Sequence, residues 1–377
     1  MGLISGTSLD GIDAALLKTD GERIVAEGPA TTVPYTDDER TPITAAIEQA
    51  LDWAGVISFP ENPPDVSQAS AAVTAACIRA IQTVLEDFDG ALDVIGCHGQ
   101  TILHRPEARL TWQIGDGDAL ARHFQIPVVH QFRLADVANG GEGAPFAPVY
   151  HMARLANARG APLANGPIGV LNLGGVGNLT LCSEGQPLIA FDTGPANGLV
   201  DQWVQQHGAG DFDSEGRIAA EGAVDHAALQ ALSDHPFFER PPPKSLDRYD
   251  FSLEPVRHLS LADGAATLTA FSAHTVAMAL RHIPQCPGQI FTCGGGRHNR
   301  TLMAMIAAAC ATEIGTDRAP KIAPVESIGW RGDMVEAEAF AFLAVRSLRK
   351  LPISYPMTTG VASPALGGVH SKPETAA

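Results

Sequence analysis

One plan occurs twice in this chain. Residues 2–17 run GLIS, GTSLDG and IDAALL, and residues 168–182 run IGVLNL, GGVGN and LTLC. Each is an apolar strand, a glycine-containing turn and a second apolar strand, the pattern of a β-hairpin. Two such units so far apart point to a duplicated architecture. Further strands are expected at 92–97, 128–132, 188–191 and 289–292. Helical patterns fall between them. Residues 66–88 place Val73, Cys77, Ala80, Ile81, Val84 and Leu85 on one face. Other helices are expected at 197–207, 264–283, 300–310 and 333–351. The last opens on Asp333 with Glu336 three residues on, and closes on Arg346, Arg349 and Lys350. Those charges suit the two ends of a helix dipole. Strands alternating with helices in this way form an α/β pattern. Proline-rich breaks occur at 59–64 (FPENPP) and 240–243 (RPPP), and the tail 371–377 is polar.

Composition narrows the classes of function. A length of 377 residues allows about two or three domains. Hydrophobic residues are 45% and charged residues 18%, as in a packed globular chain rather than a disordered or fibrous one. No apolar run reaches the length of a membrane span. The start, MGLISGTSLDG, has neither a basic region nor a long apolar core, so no secretory signal is expected. Lys plus Arg number 25 against 42 Asp plus Glu, a formal charge of −17. Such a surface repels nucleic acid and anionic lipid. A local nest of backbone N–H groups can still hold a phosphate. The six cysteines form no CxxC pair and mostly sit in apolar surroundings, which fits a reduced, cytoplasmic chain with buried thiols.

Five segments could carry chemistry. In SGTSLDGID, Gly6 and Gly11 permit tight turns. Thr7, Ser8 and the backbone offer donors for a phosphate, and Asp10 and Asp13 could hold Mg²⁺ directly or through water. An ordinary hairpin turn accounts for the same residues. In NLGGVGNLT and FDTGPAN, Asp192 ends a strand before a sharp turn and a helix, a place suited to a base near a phosphate or to a turn-capping carboxylate. In CGGGRHN, three successive glycines would let a nucleoside approach the backbone. A fourth group comprises HGQT with His104, then QIGDGD, then FRLADVANGGEGAP. It gathers polar donors in glycine-rich loops, as a sugar-binding cleft would. His98 and His104 lack a third ligand at metal-binding spacing. Finally, Glu336 and Glu338 interrupt the apolar MVEAEAFAFLA, and Glu336 either caps the helix or places a carboxylate in a cleft.

The hairpins and the late glycine turn resemble the acetate kinase, sugar kinase, heat-shock chaperone and actin superfamily. SGTSLDGIDAAL, HGQTILHRP, FRLADVANGGEGAP, NLGGVGNLT, DTGPAN, PPPKSLDR, GGGRHNRTLM and GDMVEAEAFAFLA resemble, in order, the anhydro-N-acetylmuramic acid kinase family from residue 2 to about residue 368. The resemblance implies a two-lobed, actin-like ATPase fold of class α/β: a duplicated mixed β-sheet with flanking helices and a nucleotide cleft between lobes. The lobes are expected at 1–131, joined by 351–377, and at 132–350. The implied activity belongs to cell-wall peptidoglycan recycling in the cytoplasm. MgATP and water open the 1,6-anhydro bridge of anhydro-N-acetylmuramic acid and O6 is phosphorylated, giving N-acetylmuramic acid 6-phosphate and ADP. A kinase for another amino sugar or anhydrosugar, or a non-kinase ATP-binding switch of the same fold, are the alternatives.

The resemblance also assigns residues. ATP would meet Gly6, Thr7, Ser8, Leu9, Asp10, Gly11, Ile12 and Asp13, then Gly174, Gly175, Asn178, Gly194 and Asn197, then Gly294, Gly295, Gly296 and Asn299. The sugar would meet His98, Gln100, Thr101, Gln113, Arg133, Asp136, Gly141 and Gly143. Asp192 would be the general base, with Glu336 as a second catalytic candidate and Asp10 toward Mg²⁺. A homodimer is implied, with no nucleic-acid or membrane partner. Two places depart from the family pattern: KSLDR at 244–248, where KSTGRE is expected, and the bulky Trp330 in ESIGWRGD.

Overall fold

The computed structural model describes residues 1–6, 9–51, 65–156, 158, 162–246 and 250–373. Two compact units emerge, Met1–Asn157 with Met334–Ala377, and Ala158–Asp333. The first carries β1 (Gly2–Ser5), β2 (Gly11–Thr19), β3 (Ile24–Pro34), β4 (Ile95–Cys97), β5 (Gln100–Arg105), β6 (Leu110–Ile114) and β7 (Val128–His130). The second carries β8 (Ile168–Leu173), β9 (Val176–Cys182), β10 (Ile189–Pro195), β11 (Gln289–Cys293) and β12 (Lys321–Pro324), and the chain then returns to the first with β13 (Val369–Ser371).

The sheets share one topology. The first has the order β3-β2-β1-β4-β7 with β13 beyond β7, and the second has β10-β9-β8-β11-β12. In the first, β3–β2 and β2–β1 are antiparallel, and β1–β4 and β4–β7 are parallel. The second repeats this: β10–β9 and β9–β8 are antiparallel, β8–β11 and β11–β12 parallel. The protein is therefore a mixed α/β duplication, with each copy built on the hairpin seen in the sequence.

Alternation along the first hairpin decides what covers each face. Leu3, Ile12 and Ala14 pack with Val73, Cys77, Ala80 and Ile81 of the helix Ser67–Glu86. Ile4 and Ala15 turn the other way, onto Ala337, Phe340, Leu343 and Ala344 of the helix Val335–Leu348. Both faces are apolar because both are covered. In the second unit Leu171, Leu173, Leu179, Leu181 and Phe191 pack with Val276 of the helix Leu261–Ala279 and with Leu302 and Ile306 of the helix Arg300–Ile314.

The late helix approaches the first sheet unusually closely. Gly2 and Gly96 are ladder partners on β1 and β4. A Cβ on Gly2 would overlap the carbonyl oxygen of Ala337, and one on Gly96 that of Phe340. This contact corrects the boundaries expected at 131/132 and 350/351. Residues 132–157 and 334–350 belong with the first unit, since the helix Val335–Leu348 packs on β1, β2, β4 and β7. The helix also begins later than expected, because Asp333 is held by Arg297 in the second unit.

Two strand pairs lacked a clear sequence signal. β3 carries Gly28-Pro29 in its middle, and its ladder with β2 shifts register there, between Ala15 and Leu17. An edge strand tolerates this because its outer N–H groups need no partner. HGQT, expected as a loop, gives Gln100 and Thr101 to β5, which pairs with β6. Trp330 is buried, and none of the described helices is long and apolar enough to cross a membrane.

Gly96→Ala should force the helix off the sheet and cost about 1–3 kcal/mol of stability, the range for an overpacked core. Gly288→Ala adds its methyl to open space and serves as the control. Equal denaturation midpoints for the two variants would contradict the close approach.

Candidate active site

The β1–β2 turn begins the site in the first unit. Leu9 is in the left-handed region (φ 58°), and its N–H reaches Gly6 O at 3.3 Å. Tyr35 N–H donates to Asp10 O at 3.1 Å, and Arg40 Nε donates to Leu9 O at 3.3 Å. The Asp10 side chain is exposed. Thr7 and Ser8 lie outside the described residues. Gly11 packs on β3, where a Cβ would overlap Val33 O. Ile12 is fully buried, so as a nucleotide contact it has only its backbone to offer. Asp13 accepts from Thr32 Oγ1 at 2.5 Å.

A second group of first-unit residues surrounds Arg133. Its Nε–H donates to His98 Nε2 at 3.0 Å, and its Nη1 donates to Gly143 O at 2.8 Å. His98 therefore carries its proton on Nδ1, which donates to Gly99 O at 2.9 Å. Burial, followed by the Arg133 charge, pulls His98 down to about 3, and the same causes pull His104 to about 3. Both rings are neutral at pH 7. His98 stacks at 4.7 Å on Phe340, one helical turn from Glu336. Glu336 is exposed to solvent. Desolvation and then the Asp13 carboxylate raise Glu336 above the ordinary glutamate value, while Arg133 opposes them. The residue before this helix, Met334, makes no side-chain cap, so a capping box does not explain Glu336. Its neighbour Glu338 is fully buried and accepts from Tyr150 Oη.

Several residues expected to face a sugar are engaged elsewhere. Asp136 is 1% exposed and accepts from Gly143 N–H at 2.7 Å and Thr359 Oγ1 at 2.6 Å. It pins the 140–143 loop rather than presenting a free carboxylate. Gly141 lies against it, where a Cβ would overlap Asp136 Oδ1. Gln100 is buried and bonds Ser5 Oγ, which Tyr35 Oη also reaches at 2.8 Å. Gln113 and Thr101 are cross-strand partners, joined by Gln113 Nε2 to Thr101 Oγ1 at 3.2 Å. Gln113 Oε1 is buried and has no hydrogen-bond partner among the described residues, which leaves one acceptor of this set unused.

In the second unit three predicted segments come together. Asn197 Nδ2 donates to Leu173 O at 3.0 Å and Gly174 O at 3.1 Å, and the N–H groups of Ala196 and Gly198 reach Gly175 O. The turn around Gly294 (φ 74°) packs on the same place: a Cβ on Gly294 would overlap Asn172 Oδ1, and one on Gly296 would sit 2.8 Å from Asn197 Nδ2. Gly295 alone of the three faces open space. Asn197 thus clamps the turn. Asn299 is a helix N-cap, its Oδ1 accepting from Leu302 N–H at 2.8 Å. Arg297 grips Asp333 with two 2.7 Å bonds and Glu326 with one of 2.8 Å, fixing the glycine turn to the segment that ends this unit.

Asp192 stands at the edge of this cluster. Asn172, Asn178 and Asp192 are directly paired across β8, β9 and β10, so they share one face of the sheet. A bulge between Asp192 and Gly194 (φ 152°) then turns the chain away. Asp192 is 8% exposed. Its N–H donates to Lys244 O at 3.0 Å, and its Oδ2 accepts from Leu246 N–H at 2.9 Å. In sequence the 244–248 segment is marked as part of the motif PPPKSLDR and by its departure from KSTGRE, and its hold on Asp192 has no local signal.

The family model for anhydro-N-acetylmuramic acid kinase matches residues 1–372. The chain belongs to the anhydro-N-acetylmuramic acid kinase family. An anhydro-N-acetylmuramic acid kinase of Rhizorhabdus wittichii is 50% identical over 377 residues, covering 99% of this chain and 98% of that protein. One of Rhodopseudomonas palustris is 46% identical, covering 99% of each. A solved activator of the 2-hydroxyisocaproyl-CoA dehydratase from Clostridium difficile, with bound ADPNP, aligns with 93% of this chain and 95% of its own at 12% identity and a TM-score of 0.43.

Within this family member, Asp136 offers a sharp test of structural against ligand roles. Asp136→Ala strands the Gly143 N–H and the Thr359 hydroxyl, and should cost about 2–6 kcal/mol at about 1–3 for each unpaired group. Urea unfolding measures it. Unchanged stability with a raised KM for sugar alone would return Asp136 to the substrate.

Proposed function

We propose that this chain uses MgATP and water to open the 1,6-anhydro bridge of anhydro-N-acetylmuramic acid and phosphorylate O6, yielding N-acetylmuramic acid 6-phosphate and ADP. The observation that carries this reading is the family match over residues 1–372. A kinase of this family takes a sugar and ATP. The finer assignments are ours: action in the cytoplasm in cell-wall recycling, as a homodimer, without nucleic-acid or membrane partners.

Asp192 is the general base in this reading. It removes a proton from the water that attacks C1, while the departing O6 takes the γ-phosphoryl group. No covalent enzyme intermediate is needed. The carboxylate is suited to the role because Leu246 N–H fixes Oδ2. Phosphoryl transfer asks mainly for positioning and charge stabilisation. The backbone N–H groups of the 6–13 loop and of the Gly174–Gly175 turn would serve the phosphates, and the 294–296 turn the nucleoside. Arg133, aimed by neutral His98, would contact the sugar, and Glu336 is the next carboxylate in line.

Magnesium fits the donors as an ion carried by the nucleotide. Among the described residues no three His, Cys, Asp or Glu side chains form a metal cluster, while Asp10 is an exposed carboxylate on the first turn. Such an ion keeps most of its ligands as phosphate oxygens and water. Held there by Asp10, it would offset charge on the phosphates.

Asp192→Asn keeps the shape and removes the basicity. It should lower kcat by about 10²–10⁴-fold or more, the usual cost of a lost general base, and leave ATP binding by calorimetry in place. In heavy-oxygen water the label should enter the sugar at C1. Label in the transferred phosphate would mean plain ATP hydrolysis and sink the mechanism. ADP formation independent of any sugar would favour a nucleotide switch instead.

A further inference from the structure

The segment that holds Asp192 is itself anchored by a buried cation. Lys244 is 2% exposed. Its Nζ donates to Phe237 O at 3.0 Å, lies 4.5 Å from the centre of the Phe237 ring and 5.9 Å from that of Phe191, the residue before Asp192. Its own carbonyl accepts the Asp192 N–H, and two residues on Leu246 N–H closes on Asp192 Oδ2. One lysine therefore fixes, through its backbone, the strand that bears the carboxylate and starts the turn that grips the carboxylate oxygen. A buried ammonium is costly unless its surroundings favour it, and the Phe237 carbonyl and two aromatic faces supply that.

We propose that Lys244 is a positioning residue for the reaction, anchoring the 244–246 segment against Asp192; the proposal rests on Asp192 being the general base. The charged and titratable groups around it are Arg240, Glu239 and Asp192, with His282 against Phe191 and bonded to Phe238 O. Desolvation, then Arg240, brings the Lys244 ammonium down to about 8, with Glu239 and Asp192 opposing. Activity that depends on this cation falls as pH rises through that value. A variant without this cation lacks that alkaline limb.

Lys244→Met keeps the stem over Phe237 and loses the charge. The expected result is a kcat lower by roughly 10–100-fold, the cost of a misplaced reacting group. KM for ATP and sugar should stay unchanged, the fall in rate through about pH 8 should disappear, and Lys244→Arg should recover part of the rate. An unmoved profile with no recovery by arginine would reduce Lys244 to a packing residue and overturn the proposal. A second measurement covers a methionine variant that does not fold. NMR titration of lysine Cε should find one ammonium near 8 in the native chain and at lower pH in Asp192→Asn, whose neutral amide no longer favours the cation. A lysine titration unaffected by Asp192→Asn refutes the coupling. Full activity of Asp192→Asn would instead remove the base on which the proposal rests, and the lysine titration tells that failure apart from a loss of the coupling.

Discussion

The first unit depends on a backbone-to-backbone approach that only glycine permits. Gly2 and Gly96, side by side on β1 and β4, let the carbonyls of Ala337 and Phe340 sit where side chains would otherwise be. Ala337, Ala341 and Ala344 keep the helix equally low on its own side. A helix seated this deep is fixed in rotation and in translation. Its first turn therefore delivers Glu336 to a defined position, and one turn on Phe340 backs the ring of His98. The chain from His98 to Arg133 to Gly143 is then determined from below. Asp136 and Thr359 hold the same loop from the side.

The two sheets repeat a topology and diverge in chemistry. The row Ile4, Asp13, Thr32 is paired across β1, β2 and β3, and the row Asn172, Asn178, Asp192 across β8, β9 and β10. In the first copy the carboxylate is on the middle strand, bonded to Thr32, and helps raise Glu336. In the second it is on the outer strand, at a bulge, and is bonded by a backbone N–H of the 244–246 segment. A duplicated frame thus carries its acidic groups at different places, and the local neighbours decide what each one bonds.

Much of the frame could be read in the residues. Both hairpins, β11 and the helices after β10 and β11 follow apolar runs broken by glycine, since local pattern and local structure agree there. β3 stayed hidden because Gly28-Pro29 mimics a loop, and an edge strand can absorb both. β5 stayed hidden because HGQT carries polar residues whose partners, Ser5 and Gln113, come from distant strands. That Asp136 and Asn299 also anchor a loop and a helix was not legible, because buried hydrogen-bond anchors and binding residues use the same side chains.

The sequence by itself determined the duplicated α/β plan, the glycine turns, the family and the carboxylates available for chemistry. Those depend on residue type and short-range order, which a string records. Tertiary structure alone decided that residues 334–350 return to the first unit, that His98 is neutral and aims Arg133, and that Lys244 anchors the segment bonded to Asp192. Each of these arises from contacts between residues far apart in the chain, made by burial and by the need of every buried polar group for a partner.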